Sequence, residues 1–372
     1  MGILSTPQAG AKTRILVVDD SALMRKMITQ IINTQADMEA VGTARDGIEA
    51  LEMTQRLQPD LITLDVEMPR MSGIEFLEQI MPKTPQRVIM LSSLTSAGAE
   101  ATFACLQRGA IDFLSKPSGS ISLDLRKIGE ELVAKIRGAR TARLSSIAKP
   151  RTVLTTPKLP LPPPQGARQK EPLLIVTIAS STGGPGELSE FLTQMPNTLD
   201  VSYVLVQHLP EGFSSLFCQR MNGMCALEVR EAKAGEKPQA GVLHIAPGGR
   251  HLVLDNQGFF AFNDEPPLHG VRPAADKMMQ SVAQVWKERT VGVVLTGMGY
   301  DGAEGVRAIQ QSGGLSVAQD EATSVIYGMP RAAWETGAVA RQVALPDMAM
   351  ALIEVFKKRI LETTPLRKRR VG

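Results

Sequence analysis

Acidic, hydroxyl and amino side chains stand where apolar runs end in the first third of the sequence. Asp19 and Asp20 follow the first run, Asp65 follows the third, Ser92 closes the fourth and Lys116 follows the fifth. Clustered carboxylates suit a hard divalent cation, so this pattern predicts Mg²⁺ bound by oxygen ligands and Asp65 as the nucleophile that accepts a phosphoryl group. Ser92 and Lys116 would then contact the phosphoryl oxygens. A single Asp at such a position would more simply cap a helix.

A second set of residue types suits acyl transfer. The segment Ile178–Gly184 places two hydroxyls and two glycines directly after an apolar run, and His208 and Asp301 follow two later runs. The glycines permit a sharp turn that presents a serine hydroxyl, although such a turn also cradles phosphate. A Walker A motif is excluded because no Gly-Lys-Ser/Thr follows.

Acyl transfer needs a hydroxyl activated by a base, and a base oriented by a buried acid. Ser181, His208 and Asp301 are candidates for these roles. Their order along the chain, together with the absence of Gly-x-Ser-x-Gly, disfavours the α/β-hydrolase fold. Glycines around Met298 free backbone N–H groups for the anionic oxygen of a tetrahedral intermediate, and one such donor contributes about 3 kcal/mol. Ser180 is a rival nucleophile.

Five short apolar runs alternate with amphipathic segments between Arg14 and Arg137, which predicts a doubly wound parallel α/β sheet. Because the carboxyl ends of parallel strands meet at one edge of the sheet, Asp19, Asp20 and Asp65 would gather there. The predicted strands are Ile15–Val18, Met38–Thr43, Leu61–Leu64, Val88–Leu91 and Ile111–Leu114.

A proline-rich stretch separates this region from a second alternating α/β region. Repeated proline favours an extended, semi-rigid linker. Residues 241–262 carry turn signals typical of hairpins inserted into the second domain. The predicted domains are 1–137, a linker at 138–172, 173–364 and a basic tail at 365–372. The predicted strands of the second domain are Leu174–Ile178, Val201–Val206, Val291–Leu295 and Leu315–Ala318.

Composition narrows the class of protein. The net charge of +3 gives no reason to expect a nucleic-acid partner. Three cysteines without Cys-x-x-Cys spacing argue against disulfides or a thiolate zinc site. Without a bilayer-spanning apolar run or a secretion signal, we expect a cytoplasmic protein that does not insert into a membrane. His244, His251 and His269 lack metal-ligand spacing, and His244 is interpreted as a hydrogen-bonded structural residue.

The motifs of the first domain resemble a two-component receiver domain. They are Val-Val-Asp-Asp-Ser, Leu-Asp-Val-Glu-Met-Pro-Arg-Met-Ser-Gly and Ser-Lys-Pro. The resemblance implies that Asp65 is the phosphoryl acceptor and that Asp19 and Asp20 join it as ligands of Mg²⁺. It also implies that Ser92 and Phe113 are switch residues and that Lys116 contacts the phosphate.

The second domain resembles the chemotaxis protein-glutamate methylesterases. The motifs include Ser-Thr-Gly-Gly, Gln-His-Leu-Pro-Glu-Gly-Phe, Arg-Pro-Ala-Ala-Asp and Leu-Thr-Gly-Met-Gly-x-Asp-Gly. The resemblance implies Ser181 as nucleophile, His208 as base and Asp301 as orienting acid, with no cofactor in this domain. It also implies an oxyanion hole at the Met298 backbone and a cleft shaped by Thr182 and Arg272. Two positions depart from the family: Ala179-Ser180 replaces the common Gly-Ala, and Tyr300 replaces a small polar residue.

The combined resemblance implies a response regulator that hydrolyses glutamyl methyl esters, and deamidates particular glutamines, on chemoreceptors. A chemotaxis histidine kinase would be the phosphodonor. We hypothesise that the unphosphorylated receiver packs over the cleft of Ser181 and that phosphorylation of Asp65 raises esterase activity.

Two other functions remain open at this stage. The second domain is alternatively a binding module that holds a phosphate-bearing ligand at Gly183 and Gly184 without chemistry. A transcriptional output is supported only by the basic run Arg367–Arg370, and the second half shows no helix-turn-helix pattern.

Overall fold

The computed structural model describes residues 12–93, 95–116, 121–144 and 171–368. The chain divides into two compact units, Met1–Arg151 and Thr152–Gly372. Most of the predicted linker, residues 145–170, lies outside the described residues, and so do residues 369–372 of the predicted basic tail.

The first unit contains a parallel sheet with strand order β2-β1-β3-β4-β5. Strands β3 and β4 are buried at every position, because helices cover both faces of a doubly wound sheet. The predicted fold class is therefore confirmed for this unit. The strands are β1 Thr13–Val18, β2 Met38–Ala44, β3 Leu61–Asp65, β4 Val88–Ser92 and β5 Asp112–Ser115.

Helices follow the strands of this sheet, and local capping fixes where several of them begin. Ser21 caps the first helix, Asp46 the second, and Ser72 forms a capping box with Glu75 at the third. The helices are α1 Ala22–Asn33, α2 Gly47–Leu57, α3 Gly73–Ile80, α4 Ser96–Gln107 and α5 Ile121–Arg140. Helix α5 therefore continues into the first residues of the predicted linker.

The second unit contains a parallel sheet with strand order β14-β13-β12-β6-β7-β9-β8. A separate antiparallel hairpin pairs β10 with β11. The sheet strands are β6 Leu174–Ser180, β7 Val201–Gln207, β8 Glu228–Glu231, β9 Val242–Ile245, β12 Thr290–Val294, β13 Leu315–Gln319 and β14 Arg341–Val343; the hairpin strands are β10 His251–Leu254 and β11 Phe260–Asn263.

Helices cover the second sheet. Their apolar faces meet it in a core that includes Met279 and Trp286 of α8 and Val306 of α9. The helices are α6 Gly184–Leu192, α7 Phe213–Met224, α8 Ala275–Trp286, α9 Ala303–Gln311, α10 Met329–Glu335 and α11 Met348–Lys368, with short 3₁₀ turns at Lys287–Arg289 and Leu345–Asp347.

In both sheets the chain adds strands first on one side of a central strand and then on the other. In the first unit β2 lies on one side of β1 and β3 on the other; in the second, the chain builds outward from β6 through β7 and, later, from β12 through β13. Crevices at the carboxyl ends of such central strands are where open α/β sheets place their ligands. Functional sites are therefore expected at the carboxyl ends of β1 and β3 in the first unit and of β12, β6 and β7 in the second.

The structure corrects the sequence prediction at the sheet edges. Strands β8 and β14 were not predicted, because a short charged edge strand lacks the apolar run of a central strand. Residues 242–245 form a parallel strand rather than part of a hairpin, so only residues 251–263 confirm the predicted insertion. None of the three cysteines forms a disulfide bond. No helix in the described part of the chain is long and apolar enough to cross a bilayer.

Candidate active site

The turn between β6 and α6 presents Ser181. Gly183 adopts φ +83°, and a Cβ there would lie 2.8 Å from Val325 Cβ. At Gly184 a Cβ would collide with the side chains of Gln207 and Ser180. Both glycines are therefore required by close packing, and they bring the backbone of the turn against the neighbouring strands.

Hydrogen bonds to both neighbouring strand ends fix the Ser181 backbone. Its N–H donates to Thr296 O at 3.0 Å, and Gln207 Nε2 donates to Ser181 O at 2.9 Å. The His208 N–H donates to Ser180 O at 3.2 Å. The ends of β12, β6 and β7 are thus joined around the hydroxyl.

Ser181, His208 and Asp301 lie in one hydrogen-bonded line. His208 Nδ1 is 3.0 Å from Ser181 Oγ, and His208 Nε2 is 2.8 Å from Asp301 Oδ2. When Nδ1 accepts from the serine hydroxyl, the neutral ring carries its proton on Nε2 and donates it to the carboxylate. The three side chains that the sequence separates by many residues are therefore brought together in the order that acyl transfer needs.

Asp301 is a buried carboxylate with three donors. Oδ2 accepts from the Ala275 N–H at 2.6 Å, and Oδ1 accepts from the Asp276 N–H at 2.9 Å. Burial by itself raises the pKa of Asp301, but the hydrogen bonds from His208 and these two N–H groups outweigh it and hold the pKa below its ordinary value. The group facing His208 is therefore an ionised acceptor.

The two adjacent serines differ in exposure. Ser180 is fully buried at the end of β6, and its hydroxyl donates to Thr296 O at 3.4 Å. Ser181 is partly exposed and faces His208. The geometry therefore favours Ser181 over its neighbour as the attacking hydroxyl.

The loop after β12 lies against the nucleophile. A Cβ at Gly297 would lie 2.9 Å from Ser181 Cβ, so only glycine permits this approach. The next residue, Met298, is 37% exposed, and its N–H has no hydrogen-bond partner among the described residues. A free N–H next to the serine is available to an anionic oxygen.

Thr182 and Arg272, the predicted cleft residues, occupy different settings. Thr182 is buried, and its carbonyl accepts from Thr296 Oγ1 at 3.0 Å. Arg272 is half-buried before α8, where its guanidinium donates to the carbonyls of Asp264 and Glu265 at 3.3 Å. Their predicted role in the substrate cleft stays a prediction.

His244 and His251 each accept a hydrogen bond from a backbone N–H group. His244 is fully buried in β9 and accepts from the Gln239 N–H at 3.3 Å, which confirms the predicted hydrogen bond. Burial, with the nearby charge of Arg230, lowers the pKa of His244 to about 3. His251 accepts from the Ala274 N–H through Nδ1.

The first unit gathers its acids around an ammonium. Lys116 Nζ lies 2.6 Å from Asp65 Oδ2 and 2.9 Å from Asp19 Oδ2, and both carboxylates are buried. Burial, and then the charge of Asp19, raise the pKa of Asp65 to about 6 against the opposing effect of Lys116. Burial lowers the pKa of Lys116, but the two carboxylates outweigh burial and raise it.

The same place fits a divalent cation. Carboxylate oxygens of Asp19, Asp20 and Asp65 lie within 4.8 Å of one another, and Asp20 is exposed to solvent. An all-oxygen donor set with an open side is what Mg²⁺ binds, because this ion retains several waters. These three residues would hold it.

The two predicted switch residues are both buried beside this site. Ser92 Oγ lies 3.2 Å from Gly98 O and 2.5 Å from Thr102 Oγ1, so it is tied to helix α4. The Phe113 ring packs edge-on against Phe103, with ring centroids 6.5 Å apart. Their role as a switch stays a prediction.

Sequence reasoning assigned no role to several residues that build the active site. Gln207 holds the serine carbonyl, and Gln319 Oε1 accepts from the Thr296 N–H at 2.8 Å. Asp276 lies within the quoted Arg-Pro-Ala-Ala-Asp motif, yet nothing in the spacing predicts its contact with Asp301. The sequence signal that could have identified the two glutamines is an amide residue at the end of an apolar strand.

Comparison with known proteins agrees with this architecture. Residues 15–126 match the model of the response regulator receiver domain, and residues 176–352 match that of the CheB methylesterase. The fold and its two sites thus define a response regulator that joins a receiver domain to a CheB methylesterase domain.

Full-length relatives give the family. A protein of Pyrococcus abyssi named protein-glutamate methylesterase/protein-glutamine glutaminase is 45% identical over 361 residues, which cover 94% of this chain and 96% of the relative. A Thermotoga maritima protein of the same name is 43% identical over 330 residues, covering 87% and 93%. The chain belongs to the protein-glutamate methylesterase/protein-glutamine glutaminase family, as its motifs predicted.

A solved structure is similar to part of this chain. The crystal structure of the Thermotoga maritima CheB methylesterase catalytic domain is 36% identical, covers 49% of this chain and 98% of its own, and has a TM-score of 0.48.

Proposed function

We propose that this protein hydrolyses glutamyl methyl esters and deamidates particular glutamines on chemoreceptors, and that phosphorylation of Asp65 raises these activities. The observation that carries the proposal is the line from Ser181 through His208 to Asp301, with distances of 3.0 and 2.8 Å. The names of the relatives supply the substrate class.

The first chemical step is attack by Ser181 Oγ on the ester carbonyl. His208 Nδ1 accepts the hydroxyl proton as the carbon–oxygen bond forms, and the ring becomes an imidazolium. Asp301 stabilises that cation, because the ionised carboxylate accepts the Nε2–H.

The carbonyl oxygen becomes an anion in the tetrahedral intermediate. We assign this role to the Met298 N–H, since a Cβ on the preceding residue, Gly297, would lie only 2.9 Å from Ser181 Cβ. Collapse of the intermediate expels methoxide, which takes the proton from His208 and leaves as methanol. An acyl-enzyme on Ser181 remains.

Water completes both reactions. Water attacks the acyl-enzyme carbonyl while His208 removes a proton from the water. His208 then returns that proton to Ser181 Oγ as the acyl carbon–oxygen bond breaks, which releases the free glutamate side chain. With a glutamine substrate, ammonia leaves in place of methanol and the same acyl-enzyme follows. We assign the adjoining cleft to Thr182 and Arg272.

In the receiver domain, Asp65 is the proposed phosphoryl acceptor and a chemotaxis histidine kinase the proposed donor. Mg²⁺ bound by Asp19, Asp20 and Asp65 would neutralise charge on the phosphoryl group. Lys116 would contact the phosphoryl oxygens; the 2.6 Å distance from its ammonium to Asp65 Oδ2 supports this role. Ser92 and Phe113 would carry the change onward.

Methanol release from methylated chemoreceptor membranes tests the esterase proposal. Ser181→Ala should lower kcat at least about 1,000-fold, because it removes the attacking oxygen. Ser180→Ala is the matched control: it removes one buried hydrogen bond of about 1 kcal/mol, so its kcat should stay within about fivefold. Unchanged turnover in Ser181→Ala would exclude Ser181 as the nucleophile, whereas a wild type that releases no methanol would favour the binding-module alternative.

Acetyl phosphate tests the regulatory proposal in the same assay. It should stimulate methanol release by the wild type and have no effect on Asp65→Asn, which lacks a nucleophilic carboxylate. Asp37→Asn removes an exposed acid paired with Arg137 and should respond like the wild type. Equal stimulation of Asp65→Asn would contradict the assignment.

A further inference from the structure

Helix α8 begins without a side-chain cap of its own. Its N-cap residue is Ala274, which offers no acceptor to the first N–H groups of the helix. Asp301 supplies the acceptors instead, with Oδ2 taking the Ala275 N–H and Oδ1 taking the Asp276 N–H. The proposed catalytic acid is therefore also the cap of a helix distant in sequence.

Helix α9 shows the converse arrangement. Its N-cap is Gly302, which has no side chain and adopts φ +98°. Asp276 Oδ1 accepts from the Gly302 N–H at 2.9 Å and from the Gly305 N–H at 2.7 Å. Asp276 of α8 therefore caps α9, and Asp301, which directly precedes the N-cap of α9, caps α8. We call Asp276, Asp301 and their four N–H donors the reciprocal cap.

The reciprocal cap holds Asp301 from two sides. Two N–H groups of α8 orient its carboxylate, while Asp276 binds Gly302, the residue joined directly to Asp301. Rotation of the Asp301 side chain would break the first pair, and a shift of its backbone would break the second. The resulting position keeps Oδ2 at 2.8 Å from His208 Nε2.

Carboxylate oxygens of Asp276 and Asp301 lie within 4.8 Å of each other, and two buried carboxylates this near would ordinarily repel. Burial, and then the charge of Asp301, raise the pKa of Asp276. Four backbone N–H groups and two helix N-termini oppose that repulsion, because both ends carry partial positive charge. His269 Nε2, 3.1 Å from Asp276 Oδ2, occupies the second oxygen.

We propose that Asp276 is a positioning residue for the reaction proposed above. Its carboxylate fixes Gly302 and Gly305 so that Asp301 Oδ2 receives the Nε2–H of His208. The inference rests on the proposed esterase function and adds a residue that does not touch the substrate.

Two substitutions in the full-length protein separate positioning from charge. Asp276→Ala removes the acceptor for both glycine N–H groups, and kcat for methanol release should fall about 100-fold with KM within about twofold, since a displacement of about 1 Å costs that much. Asp276→Asn keeps an amide oxygen at the Oδ1 position and should restore kcat to within about fivefold of the wild type.

A proton NMR signal tests the same geometry without turnover. The His208 Nε2–H bonded to Asp301 should give a low-field resonance in the wild type and in Asp276→Asn, and should lose it in Asp276→Ala. Asp255→Ala is the matched control, because Asp255 Oδ1 also accepts two backbone N–H groups, at 2.9 Å each, but in the β10–β11 turn. The control should keep both the resonance and kcat.

Three results would overturn the proposal. They are a wild-type kcat and resonance in Asp276→Ala, a 100-fold loss of kcat in folded Asp276→Asn, or a loss in Asp255→Ala as large as in Asp276→Ala. If Asp276→Ala does not fold, the Asn variant decides. If the wild type releases no methanol, the proposed function fails, whereas the resonance still tests the positioning of Asp301.

Discussion

Each candidate site lies at the carboxyl ends of the strands of its own sheet, but the two sites are assembled from different elements. In the receiver domain Asp65 is the last residue of β3, Asp19 directly follows β1 and Lys116 directly follows β5. In the second domain Ser181 and His208 directly follow β6 and β7, but Asp301 lies on a loop well beyond the end of β12.

This difference separates what topology supplies from what packing must add. Parallel strands alone bring the receiver residues together, and an ammonium balances their buried charge. In the second domain, the strand topology positions the serine and the imidazole. Asp301, by contrast, is oriented by backbone donors from helix α8. One site is stabilised by ion pairs and the other by directed hydrogen bonds to an acid.

The largest effect on stability should come from removing the Lys116 ammonium of the receiver site. Lys116→Met preserves the side-chain stem but leaves Asp19 and Asp65 buried together without a counter-charge. The free energy of unfolding of this domain should fall by about 3 kcal/mol at pH 7, and Mg²⁺ should recover part of it by replacing the cation. Calorimetry of the full chain measures both changes.

Lys135→Met is the matched control for that prediction. Lys135 is similarly covered, with 18% of its side chain exposed against 21% for Lys116, and it pairs with Asp112 at 2.9 Å. Its removal leaves only one covered acid, Asp112, because its second partner, Glu131 at 3.8 Å, is 47% exposed, so the loss should be near 1 kcal/mol. Equal losses in the two variants would mean that the paired carboxylates are not the source of the larger loss of unfolding free energy predicted for Lys116→Met.

An intermediate effect is expected from the neutral buried histidine of the second domain. His244 has a pKa of about 3 when folded, against an ordinary value of 6.5. Its neutral form is favoured in the folded state, so the associated stability is complete above pH 6.5 and declines as the pH falls toward 3. Between pH 7 and pH 5 the domain should lose about 2 kcal/mol through this residue.

Urea unfolding at the two pH values measures that loss. Both tryptophans, Trp286 and Trp334, lie in the second domain, so their fluorescence reports on it alone. His244→Met should reduce the difference between the two pH values by about 2 kcal/mol, whatever its stability at pH 7. A difference as large as in the wild type would show that His244 does not titrate as its burial requires.

The smallest effect concerns the hydroxyl pair of the receiver domain. Thr102→Val removes the bond to Ser92 Oγ and the 2.6 Å bond to Gly98 O, and should cost about 1 kcal/mol. Thr63→Val is the control, because the buried Thr63 hydroxyl has no hydrogen-bond partner among the described residues. Calorimetry should find Thr63→Val neutral or stabilising, and a cost equal to that of Thr102→Val would contradict the comparison.

Local signals in the sequence were sufficient for the central strands. Continuous apolar runs predicted β3, β6 and β7 to within two residues, because strands covered on both faces must be apolar throughout. The short edge strand β14 was missed, since Arg341 and Gln342 reflect solvent exposure instead of burial.

Residue types and strand ends determined the candidate chemistry from the sequence alone, including Asp65 and the serine, histidine and aspartate of the second site. Only the tertiary structure decided that His208 presents Nδ1 to Ser181, that Ser180 is buried, and that the Asp276 N–H donates to Asp301 Oδ1. The physical reason is that strand order can be inferred from periodicity, whereas the orientation of a carboxylate depends on backbone donors brought together by packing.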